Sequence, residues 1–420
     1  MDDETGSVTS RTLTRRGVLA LAGASVVAVA LASCRPEPEE PDYAVELNAL
    51  LSQAAQGDRV VLPSGSRTVR STVRLRSGVE LAAHPDGSTL TLADHTDSPF
   101  VLANGISGAR VTNVTFDGGT QSVDAVSLQI DASSDIVVNG CGFVRMKHAV
   151  HVYADSGATS EHITVVGCTF DQISDFAVRI DAQAQHIEVT GNTVSAVAKG
   201  TAPSPSAIYV RGRDVVVRGN VVLSSYDTGV MVAGDGARDV TVEANTLSTD
   251  MVSIYFGNGA RSGTVSKNTV TSQRDFGVHV HDRAGGPVDL TVTGNTIGPT
   301  GKTGVQIEGV QRVTLTDNNI RDVAQQDGNP DYWRCGVAVT KLRDEGARSV
   351  LIEDNNISGE AGKMVYGVLI MAGTSNVIVT SNTVSGAADA SYQVASSGGP
   401  FLVERGDGSV VARQGVTRKW

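Results

Sequence analysis

Along most of the chain, apolar and polar residues alternate in short bursts, and no helix-length amphipathic run separates them. "TGVMVAG", "FGVHVHD", "TGVQIEG", "CGVAVTK" and "YGVLIMA" share a Gly-Val-x-Val-x frame. Alternation with period two gives such a segment one apolar and one polar face, the pattern of a half-buried strand. A second phrase recurs between them: "EVTGNTV", "VVRGNVV", "TVEANTL", "TVSKNTV", "TVTGNTI", "TLTDNNI", "LIEDNNI" and "IVTSNTV". Its asparagines are Asn192, Asn220, Asn245, Asn268, Asn295, Asn318, Asn355 and Asn382, with spacings of 28, 25, 23, 27, 23, 37 and 27 residues. Upstream, Val114, Cys141 and Cys168 occupy the same slot.

The missing helices exclude a βαβ architecture. Three short strands per repeat of roughly two dozen residues predict an all-β fold, a single-stranded right-handed parallel β-helix of about eleven coils. Coils stack about 4.8 Å apart, so equivalent side chains form ladders. Asparagine suits a ladder at a bend because it tolerates left-handed backbone angles and its amide can bond to its copies. A solenoid also needs closed ends. "DYAVELNALLSQ" predicts an N-terminal capping helix whose apolar face carries Val45, Leu47, Leu50, Leu51 and, just beyond, Ala54. "FLVERGDGSVVARQG" is expected to close the other end.

Residues 1–33 read as an export signal. "TRRGVL" carries paired arginines, and an uncharged apolar run follows to Cys34. "LASC" resembles a bacterial lipobox, in which the cysteine becomes the lipid-bearing N-terminus; a plain signal anchor is the alternative. Residues 34–42 form a Pro/Glu-rich tether, and residues 43–420 the β-helix domain. The expectation is a bacterial cell-surface protein, exported by the twin-arginine route and held to the membrane through its lipid alone.

Charge narrows the partners. The formal net charge is −11, and removing residues 1–33 deletes three arginines and three acids, which leaves it unchanged. An acidic chain argues against nucleic acid. Beyond Cys34 the cysteines are Cys141, Cys168 and Cys335, an odd number that excludes a disulfide framework. A monomer is expected.

The repeats, with the helix and "VVLPSGS" start, resemble the pectate-lyase-like β-helix superfamily. That resemblance implies that the Gly-Val-x-Val-x sheet lines a polysaccharide cleft. Alternation turns outward, coil by coil, His151/Tyr153, Arg179/Asp181, Tyr209/Arg211, Met231/Ala233, Tyr255/Gly257, His279/His281, Gln306/Glu308, Ala338/Thr340 and Leu369/Met371.

Two candidate sites stand out. The first is His151, Tyr153, Arg179, Asp181, Tyr209 and Arg211, with Arg145, Lys147 and His148 adding positive charge nearby. Arginine can neutralise a substrate carboxylate while Tyr or His abstracts a proton, the β-elimination that cuts a uronic-acid polymer. A surface ion-pair ladder is the bland alternative. The second is "GVHVHDRA", similar to a segment of mannuronan C5-epimerases in which His281 falls on the catalytic-base histidine and Asp282 and Arg283 also match. His279 and Val280 depart from that pattern. Glu308, standing where the family's carboxylate-neutralising arginine would be, should repel a uronate. His279, His281 and Glu308 also form a two-imidazole, one-carboxylate set open to a divalent metal, against a plain polar face. Tyr255 joins them as a substrate contact.

The longest repeat carries "RDVAQQDGNPDYWRCG", which would overhang the cleft and offer Tyr332 and Trp333 to sugar rings. "SAVAKGTAPSPSAIYV" makes a smaller overhang with Lys199. No cofactor is specified; a divalent cation such as calcium is the candidate. Two functions are open: an enzyme acting on an extracellular, uronic-acid-containing polysaccharide by lyase or C5-epimerase chemistry, and a non-catalytic glycan-binding or cell-envelope scaffold. Asp181 and Glu308 lie too many coils apart for a two-carboxylate glycosidase.

Overall fold

The computed structural model describes residues 41–93, 99–119, 125–155, 157–283, 286–360, 362–395 and 400–414; the twin-arginine segment and Cys34 lie outside the described residues. The repeat becomes a stack of coils. Each coil gives one strand to each of three sheets, of 15, 13 and 14 strands, and nearly every strand pairs in parallel with its counterparts one coil away. The solenoid has about 12 turns, in keeping with the coil number the repeats predict.

Inward residues fill one continuous apolar column from Ala44 to Val403. Like packs on like within it: Phe116, Phe143 and Phe170 stack with centroids 5.3 and 5.2 Å apart. Glycine opens the Gly-Val-x-Val-x strands for a steric reason. A Cβ on Gly304 would meet Ile320 Cγ2 at 2.5 Å and the Gly336 carbonyl oxygen at 2.8 Å.

The asparagines form a buried ladder. In each rung from Asn192 to Asn355, the backbone N–H and Nδ2 both donate to Oδ1 of the next asparagine, at 2.9–3.0 Å. The left-handed angle expected of asparagine belongs instead to the residue before it: Gly191, Gly219, Ala244, Lys267, Gly294, Asp317, Asp354 and Ser381 all have φ between 54° and 64°. The asparagine supplies hydrogen bonds rather than an unusual backbone, and its neighbour makes the bend.

The capping helix spans Tyr43–Gln53, and Asp42 accepts from the Ala44 N–H at 3.0 Å as its N-cap. Its buried face is Ala44, Leu47 and Leu51, with Ala54 following. Val45 and Leu50, expected on that face, are 67% and 44% exposed, because the helix rests on the first coil along a narrower stripe. At the far end, Phe401–Glu404 pairs antiparallel with Val410–Gln414 and covers the last coil edge. Cys141 and Cys168 are free, buried thiols on adjacent rungs.

Candidate functional site

The third sheet carries the wall of interest. Its register aligns His151, Arg179, Tyr209, Met231, Tyr255, His279, Gln306, Ala338 and Leu369 in one row across nine coils. Vertical stacking therefore gathers residues that are up to 218 positions apart in sequence (369 − 151).

Asp181 is the centre of the first cluster. Only 6% exposed, it follows strand Phe176–Ile180 and accepts from His151 Nε2 at 2.8 Å and Arg179 Nε at 3.2 Å. Arg211 Nη1 stands 3.9 Å from the same carboxylate. Burial works to raise the Asp181 pKa, but hydrogen bonding from His151 and the charges of His151 and Arg179 hold it below the ordinary value. Because an ionised carboxylate only accepts, His151 carries its proton on Nε2, which leaves Nδ1 with a lone pair when the ring is neutral.

A cleft of about 550 Å³ opens beside this cluster, lined by Lys147, Phe176, Arg179, Tyr209, Arg211 and the Thr201–Ser204 loop. Arg179 and Arg211 keep 27% and 40% of their side-chain surface, so both guanidiniums remain available to a ligand. The Tyr209 ring stacks on Phe176 with centroids 5.2 Å apart. Asp175, buried, accepts from Thr201 Oγ1 at 3.0 Å and the Ala202 N–H at 2.9 Å, which fixes the loop over the cleft. Phe176 and Asp175 were not among the expected residues. They lie at the start of a strand, where alternation does not specify a face.

Four expected members do something else. Tyr153 donates its hydroxyl to Asp155, and that bond raises its pKa and disfavours the phenolate. Arg145 pairs with Asp117 and donates to the Gly119 carbonyl, along the neighbouring sheet. Lys199 lies over the Tyr226 ring at 5.8 Å rather than over the cleft. His148 is buried, and burial, joined by the charges of His151 and Arg179, lowers its pKa to about 3, so it adds no positive charge at neutral pH.

That buried neutral imidazole makes an acid-sensitivity prediction. Between the ordinary value of 6.5 and about 3 the unfolded chain binds a proton that the folded chain refuses, so stability falls as pH falls through this window. Asp175 at 3.8 Å opposes the effect, while Lys147, His151 and Arg179 reinforce it. His148→Phe should move the acid-unfolding midpoint, followed by circular dichroism, to lower pH by a few tenths of a unit or more. An unchanged midpoint would remove His148 from this role.

The second cluster lies four coils on. His279 Nε2 and His281 Nδ1 donate to the same Glu308 oxygen, Oε2, at 3.2 and 3.0 Å. Burial works to raise the Glu308 pKa, but the two imidazole hydrogen bonds carry it down to about 2. Burial is also the main cause lowering the His279 pKa. Glu308 is thus not the free repelling charge expected of it. Tyr255 is 8% exposed and its hydroxyl donates to the His281 carbonyl at 3.4 Å, so it supports the strand rather than offering a free phenol. Asp282 is buried and bonded to Arg261 at 3.1 Å.

The long insertion packs down on the wall. Asp331–Trp333 is a single 3₁₀ turn. Trp333 packs against an apolar cluster of Ala233, Val252, Tyr255 and Phe276, which Tyr209 and Met231 border as well. Lys302 lies 4.1 Å from the Trp333 ring and pairs with Asp275 at 2.5 Å. Tyr332 is 44% exposed, with its ring set edge-on to Trp333 at a centroid distance of 5.2 Å.

The family model described as a right handed beta helix region matches residues 206–405. The chain is a right-handed parallel β-helix. Among solved structures, this β-helix is similar to the mannuronan C-5 epimerase AlgE6 A-module of Azotobacter vinelandii, at 19% identity over 86% of this chain and 95% of that one, with a TM-score of 0.59. It is also similar to the gene product 12 of bacteriophage phi29, at 16% identity over 87% of this chain and 54% of that one, with a TM-score of 0.70. A third likeness is to a tailspike protein mutant of E. coli bacteriophage HK620 in complex with a hexasaccharide, at 14% identity over 82% and 74%, TM-score 0.60. No curated protein matches the chain by sequence. At these identities the likeness is one of fold.

Proposed function

We propose that this β-helix acts on an extracellular, uronic-acid-containing polysaccharide by abstracting the C5 proton, with the Asp181 cleft as its active site. The observation that carries the proposal is one buried carboxylate that orients His151 at 2.8 Å and holds two guanidiniums at the mouth of a cleft. Likeness in fold to an epimerase module and to a hexasaccharide-bound tailspike supports it.

Arg179 and Arg211 bind the sugar carboxylate through the N–H groups that Asp181 does not use, and stabilise the negative charge that develops as C5 loses its proton. His151 accepts that proton at Nδ1 while Asp181 holds Nε2–H. Tyr209 is the proton donor. Donation to the C4 oxygen, with cleavage of the C4–O bond, gives an unsaturated uronate and a new chain end. Donation to the opposite face of C5 gives the epimer with no bond lost. Cys34 lipidation would hold the domain at the bacterial surface, where such polymers lie.

The test is incubation of the purified protein with pectate, alginate and glycosaminoglycan panels. Ultraviolet absorbance reports unsaturated uronate, and proton NMR reports deuterium exchange at C5. Arg179→Ala and Arg211→Ala should each lower kcat/KM by about a hundredfold. Full activity in both, with loss confined to His281→Ala, would move the active site to the second cluster. Glycan binding without absorbance or exchange on any polymer would establish the scaffold reading instead.

A further inference from the structure

His279, His281 and Glu308 form a compact ligand set that the Asp181 chemistry does not use. Among the described residues they are the group in which three metal-ligating side chains bring one ligand atom each within 4.8 Å of one another. The backbone fixes the set: both histidines lie on strand Val278–His281, and Glu308 is in register with His281 one coil on. The Phe276 and Tyr255 rings flank His279 at 4.8 and 5.5 Å, which restricts the imidazole. Glu308 Oε2 stands 3.2 and 3.0 Å from the two ring nitrogens. Bonds of about 2.0–2.2 Å to a shared cation place neighbouring ligand atoms roughly 2.8–3.6 Å apart. Both carboxylate–imidazole separations fall in that range, and the three atoms lie within 4.8 Å of one another, so a small rotation of the imidazoles brings them onto one ion.

We propose that His279, His281 and Glu308 bind one first-row divalent transition-metal ion of the zinc class. Imidazole nitrogen favours such an ion over calcium or magnesium, which take cages of oxygen ligands. The histidine side chains keep 13% of their surface and Glu308 24%, so the set reaches the outer wall. Three protein ligands leave a position for water or for an oxygen of a bound sugar. Gln306, in register with His279, adds a buried Oε1 with no described partner, an acceptor on the same wall. The site lies four coils, about 19 Å, from the Asp181 cleft, and its metal binding is independent of the reaction proposed there.

The full-length chain, stripped by chelation and desalted, is titrated with zinc by calorimetry and with cobalt(II) by visible absorption. The expected result is one ion per chain, with d–d bands that report imidazole ligation. His279→Ala with His281→Ala should abolish binding. Glu308→Gln should weaken it by about a hundredfold, at or beyond the upper end of the 10–100-fold typical of outer-shell partners. Asp181→Asn should bind zinc normally. His162 and His186, stacked on the neighbouring sheet with centroids 5.1 Å apart near Asp135 and Asp214, are the rival site, and their double alanine variant should leave binding unchanged. The wild-type titration itself overturns the proposal if it shows no saturable 1:1 site. Binding lost only with the His162/His186 pair overturns it as well.

Discussion

Asp181→Asn should abolish turnover of the polysaccharide while leaving the chain folded and able to bind it. The amide keeps the volume of the carboxylate and can still take part in hydrogen bonds, so packing at this 6%-exposed position survives. What it cannot keep is the charge. An amide can donate as well as accept, so it no longer fixes the His151 proton on Nε2 or stabilises the imidazolium, and the lone pair on Nδ1 is not held. Correct positioning of a general base is worth about 10²–10⁴ in rate, so kcat should fall in that range. Arg179 and Arg211 lose their counter-charge at the same time. KM for an anionic glycan should therefore hold or fall, and binding should become more salt-sensitive. A merely structural role predicts the opposite: a lowered melting temperature and weakened binding, with kcat falling only in proportion to the folded fraction. Steady-state kinetics at two ionic strengths, with a thermal melt, separates the two.

Asn268→Ala, at the middle of the asparagine ladder, should be strongly destabilising. Asn268 Oδ1 accepts both the Asn245 N–H and Asn245 Nδ2 at 2.9 Å, and its own Nδ2 donates to the Val242 carbonyl and to Asn295 Oδ1 at 2.9 Å. All of these asparagines are 1% exposed. Alanine leaves two buried donors on Asn245 without an acceptor, and each costs about 1–3 kcal/mol. A total of about 2–5 kcal/mol is expected, and the melting temperature should fall with it. The fold adds a spatial signature. A solenoid's stability is close to a sum of nearest-neighbour terms, so hydrogen exchange should quicken in the coils of Asn245, Asn268 and Asn295 and change little in the first coils. Uniform loss of protection along the whole chain would refute a nearest-neighbour ladder. Asn268→Asp should be no milder, since it supplies acceptors but cannot donate and buries a charge.

The wall was legible because period-two alternation is a backbone property. Once Val278 and Val280 face the core, His279 and His281 must face out, and the same reasoning placed Arg179 and Tyr209. Alternation could not say where an outward side chain goes next. Tyr153 turned to Asp155, Arg145 to Asp117 and Lys199 to Tyr226, because long side chains choose among neighbours on adjacent coils that share no local sequence. The asparagine repeat was likewise visible and its amide ladder formed as expected, but the left-handed angle fell on the preceding residue. Spacing alone does not distinguish the residue that makes the bend from the one that bonds across it.

By itself the sequence determined that short strands repeat, which faces they bury and which residues share the outer row, since these follow from local periodicity and a fixed rise per coil. Only the tertiary structure decided that Asp181 joins His151 to two arginines, that Glu308 is shared by two imidazoles and that Trp333 lies against the wall rather than over it. Those contacts are set by side-chain reach between coils, a distance of about 5 Å in space that corresponds to two dozen or more residues along the chain, where no local pattern operates.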